Sequence, residues 1–293
     1  MMRRPMSHRQ TGFTLIEAIM VIAITGILAG IVAVFISGPV TGYLDTARRA
    51  ELTDQADVAL RRITRDVRLA LPNSLRVANA GGINYIEFIM TKSGGRYRDS
   101  ADGSTGGNFL DFTGVLSNPS CGSSLCFDIL GTSPANPPNI SSGDSIVVYN
   151  LGTGNAPADA YTGGNRTTVS VTSGTPYYAT MATNVFASQS PPLPSPDNRF
   201  QVVPGGTRAV TYACPSATAG NLTRQWNYGF NAAQATPPAG GGGSATLAGN
   251  ATCAVEYTTN ATGRNALLNI ALTLTSGGES VSLFQQIHVD NVP

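Results

Sequence analysis

The sequence predicts an α+β fold, with one long N-terminal helix followed by a C-terminal antiparallel β-sheet head with long loops. Three observations lead there. From Leu15 to Ile36 no charged residue follows Glu17, and about 20 such residues cross a bilayer as a helix. From Tyr43 onward apolar residues recur at helical spacing. Beyond Pro72 the pattern changes to short β-like runs separated by Gly, Pro, Asn and Ser, and one helix followed by many strands is an α+β order.

Residues 1–12 read as a basic leader, because Arg3, Arg4 and Arg9 precede the apolar run with no acid among them. Secretory signals also begin this way, but their apolar core is shorter and ends in an A-x-A site. Here the run is longer, and Ala29, Ala33 and Ser37 make no such pattern. A plain membrane anchor explains the run but not Glu17, since a carboxylate within a membrane helix costs about 2.5–3.5 kcal/mol on insertion scales. Residues 13–37 are therefore expected to form a transmembrane helix that carries a purposeful acid. Lys and Arg stay on the cytoplasmic side, so the leader orients the rest of the chain toward the periplasm.

Residues 38–72 are expected to continue as an amphipathic helix into the head. Gly38-Pro39 should kink or locally melt it, because an interior Pro removes a hydrogen bond and crowds the preceding turn. Leu52, Ala56, Leu60, Ile63, Val67 and Leu71 then form one apolar stripe, as a helix packed on a core requires. The other face carries Arg48, Arg49, Glu51, Asp54, Asp57, Arg61, Arg62, Arg65, Asp66 and Arg68, including an Asp57/Arg61 pair at i,i+4. Interleaved acids make Arg61-Arg62-Ile63-Thr64-Arg65 a solvated face rather than a surface for nucleic acid or phospholipid. Pro72 is expected to end the helix.

The head, 73–293, shows strand-like runs at Ile83–Thr91, Leu125–Leu130, Ser145–Asn150, Thr167–Thr172, Ala209–Ala213, Gln225–Phe230 and Cys253–Thr258. Loops are expected at Gly94–Asn108, Ser133–Gly143, Ser188–Asn198 and Thr236–Ser244, the last mobile because of Gly240–Gly243. Ala266–Thr275 and Ser280–Val289 alternate in character around Ser276-Gly277-Gly278-Glu279, which reads as a hairpin.

Composition narrows the function. The formal charge is +1, but with the leader's three arginines set aside fifteen basic residues face seventeen acids, so no nucleic-acid partner is implied. Charged residues make up only 12% of the chain while glycines number 33, as expected of an extracytoplasmic β-rich domain. Cys121, Cys126, Cys214 and Cys253 all fall on the predicted periplasmic side, where they read as two disulfides with three pairings open. Cys121 and Cys126 close a tight loop beside a strand, which favours Cys121–Cys126 and Cys214–Cys253.

Catalysis has little material. His8 lies in the leader, leaving His288, and although Asp290 stands near it no G-x-S-x-G sequence is present. The cysteines lack zinc spacing and accompanying histidines. Asp99-Ser-Ala-Asp102-Gly103 resembles half of a calcium loop without the alternating carboxylates or terminal Glu. Gly240–Gly243 lacks the Lys-Ser or Lys-Thr of a phosphate cradle. Gly26 and Gly30 make a G-x-x-x-G pair, common in membrane segments. No catalytic residue, metal or cofactor is assigned.

Gly12-Phe13-Thr14-Leu15-Ile16-Glu17, with the apolar run behind it, resembles the type IV prepilin motif. The resemblance implies that a prepilin peptidase cuts after Gly12 and N-methylates Phe13, and that Glu17 meets the new amino group of a neighbouring subunit during assembly. Arg61–Arg68, Ala70–Val77 and Gly277–Pro293 resemble minor pilins of mannose-sensitive haemagglutinin (MSHA) pilus systems. That implies a type IV pilin-like fold, a single pass through the inner membrane, and a role in priming, assembly or the tip of a pilus. The partners implied are the prepilin peptidase, other minor pilins, the major pilin and the pilus assembly platform. A large minor pseudopilin of type II secretion has the same architecture; a signal-anchored periplasmic enzyme or binding domain is the reading from a different class.

Overall fold

The computed structural model describes residues 12–100, 106–172, 174–259 and 264–293. The leader arginines, His8, Asp102 and Gly103 lie outside the described residues. The chain divides after Glu51 into two compact units. Helix α1 (Leu15–Arg68) runs through that boundary. It stays helical through Gly38 and Pro39, so the local melting expected there does not occur. Pro39 forfeits one bond, to the carbonyl of Phe35, and a single lost bond is a small perturbation in a helix of 54 residues.

In the first unit the apolar side chains of α1 are exposed from Leu15 to Ile36, Phe35 by 80%. The most apolar eighteen-residue window has a mean hydropathy of 2.9 and by length and composition is able to cross a membrane.

Among its described residues, the second unit, Leu52–Pro293, holds the last turns of α1 and thirteen strands. In chain order these are β1 (Arg76–Ala80), β2 (Ile83–Ile89), β3 (Ser93–Tyr97), β4 (Cys126–Leu130), β5 (Ser145–Val147), β6 (Arg166–Thr172), β7 (Tyr178–Met181), β8 (Arg199–Val203), β9 (Ala209–Pro215), β10 (Gly220–Trp226), β11 (Gly243–Thr259), β12 (Asn265–Ser276) and β13 (Glu279–Asp290). Seven form one antiparallel sheet in the order β1-β2-β9-β10-β11-β12-β13. Leu52, Ala56, Ala59, Leu60, Ile63 and Val67 of α1 share a core with Phe88, Tyr212, Leu222, Ala251, Ile270, Leu272 and Ile287 from that sheet. The β12–β13 hairpin closes on Gly277 and Gly278, with φ of 57° and 86°, the positive values a two-residue type I′ turn needs and glycine supplies.

The other six strands close into a barrel, β3-β4-β7-β6-β5-β8, with β8 pairing back to β3 from Ser93↔Val202 to Arg96↔Arg199. Tyr97, Phe127, Phe186 and Phe200 fill it, Phe127 and Phe200 meeting edge to face at 5.7 Å. The barrel is inserted between β2 and β9, which are themselves neighbours in the sheet. Leu71, Ile89, Val147, Tyr161, Val203 and Ala209 form a third small core at the junction, where Tyr161 donates its hydroxyl to Ser74 O at 2.9 Å. The α+β class read from the sequence holds, and the barrel is an addition to the single sheet expected.

Several local expectations change. Helix α1 stops at Arg68 rather than at Pro72, because the next residues pair with the end of β2 and the residues just after it. Leu71 N donates to Ile89 O at 2.8 Å and Thr91 N to Leu69 O at 2.7 Å. The strand expected at Gln225–Phe230 instead spans Gly220–Trp226 and ends where Asn227 takes a φ of 61°. The loop expected at Gly94–Asn108 contains most of β3. The glycine run expected to be mobile enters β11, where Gly243 pairs with Trp226 and a Cβ on Gly242 would collide with the Trp226 carbonyl.

Asp66, placed by periodicity on the solvated face, is buried at 2% exposure. Its Oδ2 accepts from Tyr212 Oη at 2.8 Å and from Arg224 Nε at 2.7 Å, while Arg62 reaches Oδ1 from the rim at 3.4 Å. Burial, then the Asp66 charge, pushes the Tyr212 phenol well up, so it stays a donor. Asp66→Ala is expected to lower the unfolding free energy of the head by roughly 3–5 kcal/mol, because it strands the buried Arg224 guanidinium. Urea titration followed by Trp226 fluorescence checks this, and a loss below about 1 kcal/mol would mean that the network is energetically neutral.

Cys121 is joined to Cys126, five residues on, and Cys214 to Cys253, 39 residues on. Loop-closure entropy predicts a loss of about 4 kcal/mol for Cys214→Ser/Cys253→Ser and about 2 for Cys121→Ser/Cys126→Ser. The same titrations measure the ranking, and equal losses would contradict the entropic account.

Candidate functional site

The candidate site is the head of α1. Gly12 and Phe13 precede the helix in non-helical backbone, and Phe13 is 77% exposed. Thr14 occupies the N-cap: its carbonyl accepts the first helical bond, from Ala18 N at 3.1 Å. Its hydroxyl lies 3.4 Å from Glu17 N, which donates to it. In return Glu17 Oε2 accepts the Thr14 backbone N–H at 3.1 Å and the Thr14 hydroxyl at 2.8 Å.

This reciprocal pattern is a capping box. It satisfies donors that a helix start leaves open, and it holds a negative charge where the helix dipole favours one. Within the exposed apolar helix the polar groups of the first turn thus answer one another. Both bonds from Thr14 reach the same carboxylate oxygen, and among the described residues Oε1 accepts none. The carboxylate therefore keeps an acceptor position that the cap does not use.

Glu17 was singled out by its charge, whereas Thr14 was missed. Thr14-Leu15-Ile16-Glu17 ahead of an apolar run is the sequence signature of a capping box and was sufficient to find it. Gly26 and Gly30 line a shallow apolar surface with Ile27, Ile31, Val34 and Phe35. His288 and Asp290 lie on the exposed face of β13, opposite Leu267 and Asn265. Among the described residues no three His, Cys, Asp or Glu side chains are grouped as a metal ion would require.

A family model described as the prokaryotic N-terminal methylation motif matches residues 7–33. The chain thus carries the N-methylation motif of type IV pilin-like prepilins, which supports a pilin or pseudopilin and implies processing by a prepilin peptidase. No curated protein and no solved structure matches the chain.

If the cap holds the first turn, Thr14→Val should release it. An N-cap hydroxyl is worth roughly 1 kcal/mol, so exchange of the Ala18 amide in detergent micelles should quicken about fivefold. An unchanged rate would show that Thr14 does not hold the helix start.

Proposed function

We propose that this chain is a minor pilin that takes part in priming, assembly or tip formation of an MSHA-type type IV pilus. The observation that carries the reading is the capped Phe13-Thr14-Leu15-Ile16-Glu17 turn at the head of an exposed apolar helix, within the matched methylation motif. In this reading 1–12 is a leader removed after Gly12, Phe13 is N-methylated, 13–37 lies in the inner membrane and 73–293 in the periplasm. The helical segment assigned to 38–72 joins them, its last regular turn closing at Arg68. Two disulfides favour an oxidising compartment.

Cleavage creates an amine on Phe13 that is largely cationic at neutral pH, and methylation keeps its charge. In an apolar environment that amine and the Glu17 carboxylate are each costly alone, so pairing between subunits lowers both penalties and sets how far one helix has advanced along the next. Glu17 Oε1 is available for that contact, with Thr14 holding Oε2 in place. The resemblance of Arg61–Arg68, Ala70–Val77 and Gly277–Pro293 to MshO supports a minor subunit. So does the barrel inserted between β2 and β9, since so large a head packs poorly into a dense shaft. The head is read as structural and not as an enzyme.

Glu17→Gln should leave membrane insertion, cleavage and the head fold intact while weakening capture of partner pilins. Intact mass should begin at N-methyl-Phe13 in both forms; retention of Met1 in peptidase-positive cells would overturn the processing. Co-purification of minor subunits and counts of surface pili test the assembly role, and wild-type levels of both in a normally processed mutant would overturn it. Loss of secreted substrates with normal pili in a deletion strain would instead assign the chain to a type II secretion system.

A further inference from the structure

The outward stripe of α1 carries the same short pattern twice with the charge reversed. Asp54-Gln55-Ala56-Asp57-Val58 reads acid, acid, apolar at its first, fourth and fifth positions, and Arg65-Asp66-Val67-Arg68-Leu69 reads base, base, apolar at the same places. Each residue of the second set follows its counterpart by eleven, which is about three helical turns, so Arg65 and Arg68 share a face with Asp54 and Asp57, and Leu69 follows just past the helix end. Asp54, Arg65 and Arg68 are exposed and Asp57 is half-buried, with Val58 at 67% and Leu69 at 43%.

The basic set borders a groove. Arg61, Thr64, Arg65 and Arg68 of α1, with Leu69 just past its end, line it together with Gln285 of the edge strand β13. The Thr64 hydroxyl is buried and has no hydrogen-bond partner among the described residues.

We propose that this groove receives the Asp54–Val58 segment of a second copy of the chain, the two helices running parallel with one advanced by eleven residues, or about 16 Å. Asp54 of the second copy then faces Arg65, its Asp57 faces Arg68, and its Val58 covers Leu69. The occupant is a second copy because the complement of the basic set is present on the same helix at the same internal spacing. Asp57 also holds its own Arg61 at 2.7 Å, but exposed pairs of this kind are weak and exchange readily. An antiparallel pair centred on Val58 would also oppose unlike charges. The parallel direction is taken from the membrane-anchored reading, in which both copies are anchored in one membrane. The inference rests on the membrane-anchored reading for that direction and goes beyond it in naming the contact.

The test uses full-length chain in membranes. Two differently tagged copies are co-expressed, one with Val58→Cys and one with Leu69→Cys, and treated with a short bis-maleimide; the native cysteines are held in disulfides and do not react. The mixed 58–69 product should dominate. Arg65→Glu in the Leu69→Cys copy should lower it roughly three- to tenfold, and Asp54→Arg in the other copy should restore it. A dominant 58–58 or 69–69 product, no product, or indifference to Arg65→Glu would overturn the proposal. Intact mass and membrane extraction of each copy keep the two readings apart: a chain that is processed and anchored but not cross-linked fails this proposal alone.

Discussion

The head depends on the seam between α1 and the seven-stranded sheet, and within that seam on one carboxylate. Asp66 sits one position from the apolar stripe, so closing the helix onto the sheet takes it out of water. A buried charge is tolerated only with partners. Tyr212 and Arg224 supply them from adjacent strands, β9 and β10. Arg224 in turn stacks on Trp226 at 4.9 Å. The apolar contacts of Leu60, Ile63 and Val67 provide the driving force, and they are compatible with more than one sliding position. The Asp66 bonds are directional, so they select one position of helix against sheet.

A similar economy operates at the start of α1. A helix whose first, apolar segment is exposed has few ways to answer its own first amide groups, and Thr14 and Glu17 answer them locally. The arrangement gives Glu17 two uses that do not compete, since Oε2 serves the cap and Oε1 is free among the described residues to meet a cation. A carboxylate that is costly in an apolar setting is thus retained by a structural role and available for an intermolecular one.

The barrel is a second folding problem solved inside the first. Its strands are short, three residues in β5 and four in β7, and such strands gain little from pairing alone. Closure removes their open edges, and Tyr97, Phe127, Phe186 and Phe200 fill the interior. Because β2 and β9 lie side by side, the barrel begins and ends at one corner of the sheet, and the Tyr161–Ser74 bond and the small core around Ile89 and Val203 tie it there. The sheet register is unaffected by the insertion: Ile83 to Ile89 pairs without interruption with Pro215 to Ala209.

The sequence by itself determined what repeats or stands out locally. The uncharged run after Glu17, the helical period from Leu52 to Val67 and the paired glycines of the β12–β13 hairpin are readable because helix, membrane span and tight turn are each set by neighbours along the chain. The capping box was equally legible in Thr14 and Glu17. Only the tertiary structure decided the rest, because it depends on which distant strands meet. The barrel's β3, β7 and β8 carry weak local signals and exist through pairings far apart in sequence. The helix ends at Arg68 because Leu71 bonds Ile89 at the end of β2 and Leu69 bonds Thr91 just beyond it, not because Pro72 stops it. Asp66 looks like any solvated acid in the helical pattern, and its burial follows from Tyr212 and Arg224, residues about 150 positions away that only the folded sheet brings to it.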